Sequence, residues 1–348
     1  MEFTVNTLEL KNAINKAKKG ISKGASEGGS AYGISFHITK NDCYIITTDT
    51  KIWVETKILL YSPVESDISF ILMKPTEFIK ALKYFNNNIV TFNIVDDVIK
   101  IVCGNKIMEQ VYSNKSCLVH DSINTDICNN YKYTIDNLKY RFNKIKYALG
   151  NNIDILKDSI HFANNDMVAI DGYRVAVNKD AGLNITEPFT VESEVIKRCI
   201  DVLCDNIVIN VNNKFIEIKD NDTSVYSCVV VQKYFDYKEY LTKGTECISI
   251  DKKQYIDALE YLNIFGGKTT KKVVIWQNNV LSFKDSKNSC IINIDKNLPF
   301  TIGYNSQYML DALKQCESDN LTLFASNATS SIVCEDDNNI FLVLPIRL

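Results

Sequence analysis

The sequence has few of the residues and motifs that build most active sites. It contains only three histidines, His37, His120 and His161, and none stands at metal-ligand spacing from another histidine or from a cysteine pair. Gly267-Lys268-Thr269 resembles the end of a phosphate-binding loop, but Leu262 stands where that motif requires its first glycine. A nucleophile elbow, a dinucleotide fingerprint and a zinc-protease motif are absent as well. These absences favour a protein without a catalytic centre, a metal site or a cofactor.

Long apolar runs are missing too. Runs such as Ile71-Leu72-Met73 are far too short to span a membrane, and the first ten residues contain no apolar core typical of a signal peptide. We therefore expect a cytoplasmic protein. In that reducing compartment the eleven cysteines, an odd number without a Cys-x-x-Cys pair, indicate small buried apolar side chains rather than disulfides or zinc ligands.

The composition is that of a globular protein with more than one core. Of the 348 residues, 46% are hydrophobic and 23% are charged, and this length predicts two or three domains. The net charge of -3 argues against a simple nucleic-acid binder, which is usually basic overall. However, 39 basic residues are enough to make one face of the molecule positive.

Four local patterns recur three times along the chain. A short strand ends in a helix N-cap at Asn6, Asp136 and Asp251. An acidic residue lies between two strands at Asp49, Asp171 and Asp285. A strand that leads into a second helix begins at Phe70, Phe189 and Phe300. An asparagine closes that helix and opens a hairpin at Asn88, Asn206 and Asn320. The spacing from one copy to the next is similar for all four patterns, so the sequence predicts three copies of one unit.

The predicted domains are 1–126, 127–243 and 244–348, and the first holds extra residues in a glycine- and serine-rich loop from Gly20 to Gly33. Each domain is expected to pack two helices on one side of antiparallel strands, an α+β fold. Asp171 has counterparts in the other two copies, which favours a structural turn over a catalytic carboxylate.

Basic residues recur on the outward faces of the predicted helices. They are Lys11, Lys18, Lys80, Lys83, Lys139, Arg141, Lys146, Lys197, Arg198 and Lys314. Most helix charges are simply solvated, and acidic residues such as Glu77 and Glu194 lie on the same helices. If the copies align these helices on one surface, however, the basic residues form a track suited to a phosphate backbone without base readout.

Two stretches carry the most specific signal. Met167 to Val177 reads MVAIDGYRVAV, with a turn at Asp171-Gly172, and the last eight residues read FLVLPIRL. Such an apolar tail has to be covered by the protein or offered to a partner. Together with YFDYKEYL (Tyr234 to Leu241), GYNSQYMLDALK (Gly303 to Lys314) and SSIVCED (Ser330 to Asp336), these stretches make the whole chain resemble the bacterial DNA polymerase III beta sliding clamp family, as a divergent, phage-like or second-copy member.

The resemblance implies a non-catalytic processivity factor for DNA replication. In that family, three domains per subunit and a head-to-tail homodimer form a closed ring, whose helices line a hole around double-stranded DNA. The basic residues above, with Lys23 in the early loop, would face DNA irrespective of its sequence. The implied dimer contact joins Ile107 and Met108 to Ile264 and Phe265, although the latter two could also end a helix that packs within its own domain.

The resemblance also implies a pocket that binds short peptides of the polymerase III catalytic subunit, the clamp loader and other proteins with clamp-binding motifs. Its residues would be Leu156, Ile170, Gly172, Tyr173, Arg174, Val175, Phe235, Glu239, Tyr240, Leu342, Val343, Leu344, Pro345, Ile346 and Arg347. Phe235 replaces a common proline, Glu239 a common arginine and Tyr173 a frequent histidine, so the rim is bulkier and more acidic than usual. The main alternative is an interaction protein that keeps this pocket without forming a ring; an enzyme ranks third.

Overall fold

The structure, a computed structural model, describes residues 2–21, 33–114, 129–150, 154–179, 182–266, 272–284 and 286–348. The chain divides into two compact units. Unit 1 comprises Met1–Leu138 and Glu194–Val229, and unit 2 comprises Lys139–Ser193 and Val230–Leu348. The threefold division at 1–126, 127–243 and 244–348 stays a prediction.

In the described ranges, single helices are separated by runs of up to four strands. The helices are α1 (Thr7–Ala17), α2 (Pro75–Leu82), α3 (Ile135–Ile145), α4 (Ser193–Val202), α5 (Tyr237–Tyr240), α6 (Lys252–Ile264) and α7 (Ser306–Leu313). The strands are β1 (Glu2–Asn6), β2 (Ile34–Ile38), β3 (Asp42–Thr48), β4 (Ile52–Leu59), β5 (Ile68–Leu72), β6 (Ile89–Val95), β7 (Val98–Cys103), β8 (Lys106–Ser113), β9 (Asn129–Thr134), β10 (Ser159–Asn164), β11 (Asp166–Ile170), β12 (Arg174–Lys179), β13 (Ile185–Glu192), β14 (Asn206–Val211), β15 (Phe215–Lys219), β16 (Thr223–Cys228), β17 (Glu246–Asp251), β18 (Val273–Gln277), β19 (Val280–Phe283), β20 (Ser289–Ile291), β21 (Ile302–Asn305), β22 (Asn320–Ala325), β23 (Ile332–Asp336), β24 (Asn339–Val343) and β25 (Pro345–Ile346).

Unit 1 contains a twelve-stranded sheet in the order β1-β6-β7-β8-β5-β2-β3-β4-β16-β15-β14-β9. Unit 2 contains an eight-stranded sheet, β13-β10-β11-β12-β24-β23-β22-β17, and a five-stranded sheet, β20-β19-β18-β21-β25. All strand pairings among the described residues are antiparallel. The predicted α+β class with antiparallel sheets is therefore confirmed.

Each unit buries apolar helix faces against its strands. In unit 1, α1 packs on β3 and β4, and aromatic rings fill the core beneath it, with Phe3 stacked on Phe92 at 4.7 Å between ring centroids. In unit 2, α6 and α7 pack together, and the buried hydroxyls of Tyr255 and Tyr304 are hydrogen-bonded at 2.7 Å. Burial of this apolar area is the main force that holds the helices on the sheets.

The predicted helix starts are right in two copies and wrong in one. Asn6 accepts hydrogen bonds from the amides of Leu8 and Glu9, and Asp251 accepts one from the amide of Gln254, so both are N-caps. Asp136 is not a cap, because α3 already begins at Ile135. There, the Thr134 hydroxyl accepts the amide of Asn137 at 3.3 Å and takes the capping role two residues before Asp136.

The predicted acidic turns are equivalent in the two copies that the structure describes. Asp49 Oδ1 accepts the amides of Lys51 and Ile52, between β3 and β4. Asp171 makes the corresponding turn between β11 and β12. Asp285 lies outside the described residues. Within the described ranges, no helix combines the length and the apolar character needed to cross a membrane.

Candidate functional site

The turn between β11 and β12 is shaped by the Asp171 side chain. Its Oδ1 accepts the amides of Tyr173 at 2.8 Å and Arg174 at 3.0 Å, a geometry typical of an Asx turn. Gly172 follows with φ +91°, a left-handed conformation that strains other residues. The turn therefore fixes Tyr173 and Arg174 at the end of the β11–β12 hairpin.

The chain's tail lies against this hairpin. β24 pairs with β12, with Leu342 opposite Val175 and Val343 opposite Arg174. The Leu344 amide then donates to the Tyr173 carbonyl at 2.9 Å, after which β25 pairs with β21 of the five-stranded sheet. The tail is thus paired with strands on both sides of Leu344, while the side chains of Leu344 and Leu348 stay 40% and 56% exposed. Part of the apolar tail is therefore covered by the protein and part remains open to a partner.

A third segment, around α5, is held against β11. The Tyr237 hydroxyl donates to Asp166 at 2.7 Å, and Tyr234 stacks on His161 with 4.5 Å between ring centroids. His161 Nδ1 is 2.9 Å from the Thr190 hydroxyl, and burial lowers the pKa of His161 to about 4. The imidazole is therefore neutral at physiological pH and packs against Tyr234 as an uncharged aromatic ring.

These three segments enclose an apolar groove of about 220 Å³. It is lined by Lys157, Ile170, Gly172, Arg174, Val175, Phe235, Tyr240, Leu342 and Leu344, and we call it the apolar groove. Beneath it lies a compact cluster that includes the buried side chains of Val168, Tyr237 and Val333. A concave apolar site with a few polar groups at its wall is typical of a site for a small molecule or a peptide side chain.

The guanidinium of Arg174 is held at the groove wall by two carboxylates. Its Nε donates to Asp171 Oδ2 at 2.8 Å and its Nη1 to Asp311 Oδ2 at 2.7 Å. The guanidinium also lies over the Tyr308 ring at 4.3 Å and near the Tyr147 ring at 5.4 Å. Arg174 therefore anchors the hairpin to α7.

Eight of the fifteen predicted pocket residues line the apolar groove. Leu156 packs against the cluster beneath it, and Pro345 and Ile346 form β25. Val343 is buried in the neighbouring core, whereas Tyr173, Glu239 and Arg347 are exposed and do not line the groove. The sequence did not single out Lys157, because nothing along the chain distinguishes it from the other exposed lysines.

A second groove lies between α1 and α2 in unit 1. Lys11, Lys18 and Lys83 line it, as do Ile14, Asn15, Ile79 and Leu82. The Lys11 ammonium donates to the carbonyl of Phe85 at 2.6 Å, and that of Lys18 donates to Asn15 at 2.7 Å. Three of the predicted DNA-facing lysines therefore come together at one place, which we call the lysine groove.

The other predicted DNA-facing residues differ in their surroundings. Lys80 and Lys139 are exposed, as are Lys146 beside Asn143, Lys197 near Glu194 and Lys314 paired with Glu260. Arg198 is mostly covered and pairs with Glu194 at 3.1 Å. Lys23 lies outside the described residues.

Arg141 corrects the prediction for the basic track. It is buried, with 2% of its surface exposed, and cannot face DNA. Its guanidinium donates to the side chain and carbonyl of Asn178 and to the carbonyl of Asn165. These bonds offset the cost of burying the charge and make Arg141 part of the packing of unit 2.

Three of the four residues predicted for the dimer contact are exposed. Ile107 on β8 is 61% exposed, and at the end of α6 Ile264 is 72% and Phe265 41% exposed. Met108 is half-buried against the core of unit 1. Phe265 touches Tyr261 of its own unit edge-on, with 5.1 Å between ring centroids. The dimer contact and the alternative of packing within a single domain therefore both stay predictions.

The sequence matches no protein-family model and no curated protein. Solved structures, in contrast, match it over its full length. The beta subunit of DNA polymerase III from Thermotoga maritima is 18% identical, with a TM-score of 0.80 over 100% of this chain and 99% of that one. The DNA polymerase sliding clamp from Pseudomonas aeruginosa, determined with a ligand, is 15% identical, with a TM-score of 0.85 over 100% of both chains.

The DNA polymerase sliding clamp from Bacillus subtilis is similar to the same degree, with 16% identity and a TM-score of 0.83 over 100% of this chain and 99% of that one. The chain therefore has the fold of the bacterial DNA polymerase III beta sliding clamps, as its sequence predicts.

Proposed function

We propose that this chain, which shares its fold over its full length with bacterial sliding clamps, is itself a DNA sliding clamp. It would act in replication as a processivity factor that encircles duplex DNA and tethers the polymerase and other proteins. The full-length likeness of fold carries this proposal. It is supported by the apolar groove, where eight residues predicted from sequence lie together.

The proposed assembly is a head-to-tail homodimer of three-domain subunits. Exposed Ile107 of one copy would meet Ile264 and Phe265 of the other. Large apolar side chains of this exposure favour a partner, since covering them releases ordered water. Two such contacts would close a ring without any covalent link.

DNA would be held by weak contacts along its backbone. The lysine groove and the other exposed lysines on the helices supply charge for phosphates, and contacts of this kind do not depend on the base sequence. Because a closed ring retains DNA topologically, each phosphate contact can stay weak, and the protein can slide.

Client proteins would dock in the apolar groove through a short extended peptide. Apolar anchors of that peptide would contact Ile170, Val175 and Leu342 at the floor, with Phe235 and Leu344 at the sides. The polymerase III catalytic subunit and the clamp loader are the expected partners in the cytoplasm. The chain itself would be non-catalytic, and the engagement of Asp171 in its turn and with Arg174 supports that view.

The proposal is tested with the whole protein and linear DNA. A ring requires a dimer of about twice 39.6 kDa by size-exclusion light scattering. The protein is allowed to thread onto duplex DNA with biotin at both ends, and streptavidin is then added to both ends or to one. Retention after a high-salt wash only when both ends are blocked would support a ring.

A monomer that binds peptides but is never trapped on the DNA would instead favour the alternative, a clamp-fold interaction module without ring closure. Equal retention with one open end would also count against encirclement, since a ring slides off an open end.

A further inference from the structure

Unit 1 contains a cavity of about 460 Å³ that is separate from both grooves described above. It lies between α1, the end of β4 and the turn that joins β15 to β16, and we call it the α1 cavity. The lining residues that matter below are Glu9, Ala13 and Lys16 of α1, Thr56 of β4, and Asp222 and Thr223 at the turn.

The helix beside this cavity has a counterpart in the second copy. α1 and α3 each follow an N-cap, Asn6 or Thr134, and their buried stripes then match position by position. The stripe of α1 is Leu10, Ala13, Ile14 and Ala17, and that of α3 is Leu138, Arg141, Phe142 and Ile145. Ala13 of the first copy therefore corresponds to Arg141 of the second.

The strand beside the cavity has a counterpart as well. The amide of Lys57 on β4 donates to the Asp222 carbonyl at 2.8 Å, and the amide of Lys179 on β12 donates to the Asn338 carbonyl at 2.7 Å. These equivalent hydrogen bonds fix the register of the two copies. Thr56, which precedes Lys57, therefore corresponds to Asn178.

In the second copy, the corresponding place holds the guanidinium of Arg141. It donates to the Asn178 side chain at 2.8 Å and to the carbonyls of Asn178 and Asn165, each at 2.9 Å. In the first copy, Ala13 ends in a methyl group, and the Thr56 hydroxyl lies 3.4 Å from the Ala13 carbonyl. The α1 cavity thus occupies the position that an arginine side chain fills in the second copy.

The charges of the two copies differ in the opposite sense. Glu9 and Asp222 bring carboxylates to the α1 cavity, and neither forms an ion pair with any residue that the structure describes. Their counterparts by position, Asn137 and Asn338, are neutral. The first copy therefore lacks the internal cation but has two carboxylates that could pair with one from outside.

The lysines at the cavity are directed to other partners. The Lys16 ammonium donates to the Thr223 hydroxyl at 2.9 Å and lies 3.5 Å from Asp220. The Lys57 ammonium pairs with Asp42 at 3.0 Å. Glu9 and Asp222 are thus left without a cation of the chain's own.

From this comparison we propose that the α1 cavity binds a guanidinium group supplied from outside the chain, such as an arginine side chain. A guanidinium is planar, keeps its charge and carries five N–H donors, which suits several acceptors arranged around one place. Charge-assisted hydrogen bonds to Glu9 and Asp222 would supply most of the affinity. The inference depends neither on ring closure nor on the apolar groove.

The probe is N-acetyl-arginine amide, and its uncharged twin of nearly the same shape is N-acetyl-citrulline amide. Binding to the whole protein is followed by NMR of isoleucine methyl groups, because Ile58 lines the cavity and buried Ile160 of unit 2 serves as the reference. We expect the arginine probe to shift the Ile58 signal and to bind ~10-fold more tightly than its twin. Free arginine should bind about as tightly as the blocked probe, because the recognised group is the side chain.

Two variants supply the guanidinium from within. Ala13→Arg places it on α1, and Ala13→Arg combined with Thr56→Asn reproduces the pair of the second copy. Both should bind the arginine probe at least ~10-fold more weakly than the wild-type protein, because the cavity is already filled. The combined variant should have the higher urea midpoint of the two, since it gives the guanidinium an amide oxygen as partner.

A second pair of variants keeps the test independent of those core changes. Glu9→Gln/Asp222→Asn alters two exposed side chains and should weaken binding of the arginine probe ~10-fold without affecting the citrulline twin. Glu65→Gln/Asp67→Asn removes the same charge at exposed positions of unit 1 that do not line the cavity, and it should change neither affinity.

Four results would overturn the inference. They are an Ile58 signal that does not move, equal affinity for the arginine and citrulline probes, binding of free arginine alone, and a loss in Glu65→Gln/Asp67→Asn as large as in Glu9→Gln/Asp222→Asn.

Discussion

At the scale of single residues, equivalent aspartates form the same turn in two copies but differ in their further contacts. Asp49 and Asp171 form the same Asx turn. Only Asp171 has a second oxygen engaged at 2.8 Å by an arginine of its own turn, Arg174, which in turn reaches α7 through Asp311. The turn is thus a property of the repeat, whereas its attachment to a helix beside the apolar groove belongs to one copy.

His161 gives a pH-dependent prediction at this scale. Its folded-state pKa of about 4 lies below the ordinary 6.5, because burial disfavours the charged ring. The stabilisation is therefore complete above pH 6.5 and is lost as the pH falls toward 4. We expect the wild-type protein to lose about 2 kcal/mol more than His161→Phe between pH 7 and pH 4.5, measured by urea unfolding.

Phenylalanine keeps the stacking on Tyr234 but cannot titrate, which makes it the matched comparison for His161. Other groups titrate equally in both proteins, so the difference isolates this ring. Parallel stability curves for the two proteins would show that His161 does not carry this pH dependence.

Arg141 shows why some residues could not be placed from the sequence. It follows Lys139 and Tyr140 on α3, and a charged residue at such a position is usually solvated. The atoms that hold it belong to Asn165 and Asn178, 24 and 37 residues further along the chain. Because those partners are distant in sequence, no local periodicity could reveal that the arginine is buried.

At the scale of elements, the sequence is most informative where the cause is local. The caps at Asn6 and Asp251 and the strand starts at Asn206 and Asn320 follow from hydrogen bonds or turns within a few residues. The prediction that Asp136 caps α3 was wrong because Thr134 can also cap the helix, and the sequence alone does not choose between two such residues. The passage of the tail from one sheet to another depends on long-range pairing and was not predictable in detail.

The cap of α6 supplies a prediction for an element. Asp251→Ala removes the acceptor for the Gln254 amide at 2.7 Å and a negative charge at the helix N-terminus. We expect a loss of about 1 kcal/mol in the free energy of unfolding, seen as a lower urea midpoint. Asp251→Ser, which keeps an acceptor, should recover most of it; equal losses in both variants would exclude a capping role.

At the scale of the whole molecule, the prediction from the repeated sequence patterns agrees with the comparison of folds. The repeat offsets predicted like units, and the full-length likeness to sliding clamps supplied the fold that such units build. Ring closure is different in kind, since it depends on contact between two copies of the chain. The resemblance to sliding clamps implies which residues would make this contact, and the exposure of Ile107, Ile264 and Phe265 agrees with that role, but their pairing has to be measured.

Phe265→Asp should split the proposed dimer. Phe265 is 41% exposed at the end of α6, and a carboxylate there would be buried against Ile107 of the other copy without a partner. We expect the dimer Kd to rise at least ~100-fold, because burying an unpaired charge costs several kcal/mol. Analytical ultracentrifugation measures this, with Val231→Asp, at a residue 83% exposed elsewhere in unit 2, as the control.

The proposed head-to-tail arrangement also predicts what happens when two different interface variants are mixed. Ile107→Asp alone should also be monomeric, because every contact in its homodimer would contain one new carboxylate. Mixed with Phe265→Asp, however, it forms a pair in which one contact keeps both wild-type residues and the other carries both substitutions. Dimers should therefore reappear on mixing, held by one contact as an open ring that no longer stays on end-blocked DNA. If the mixture remains monomeric, Ile107 and Phe265 do not face each other across the subunit boundary.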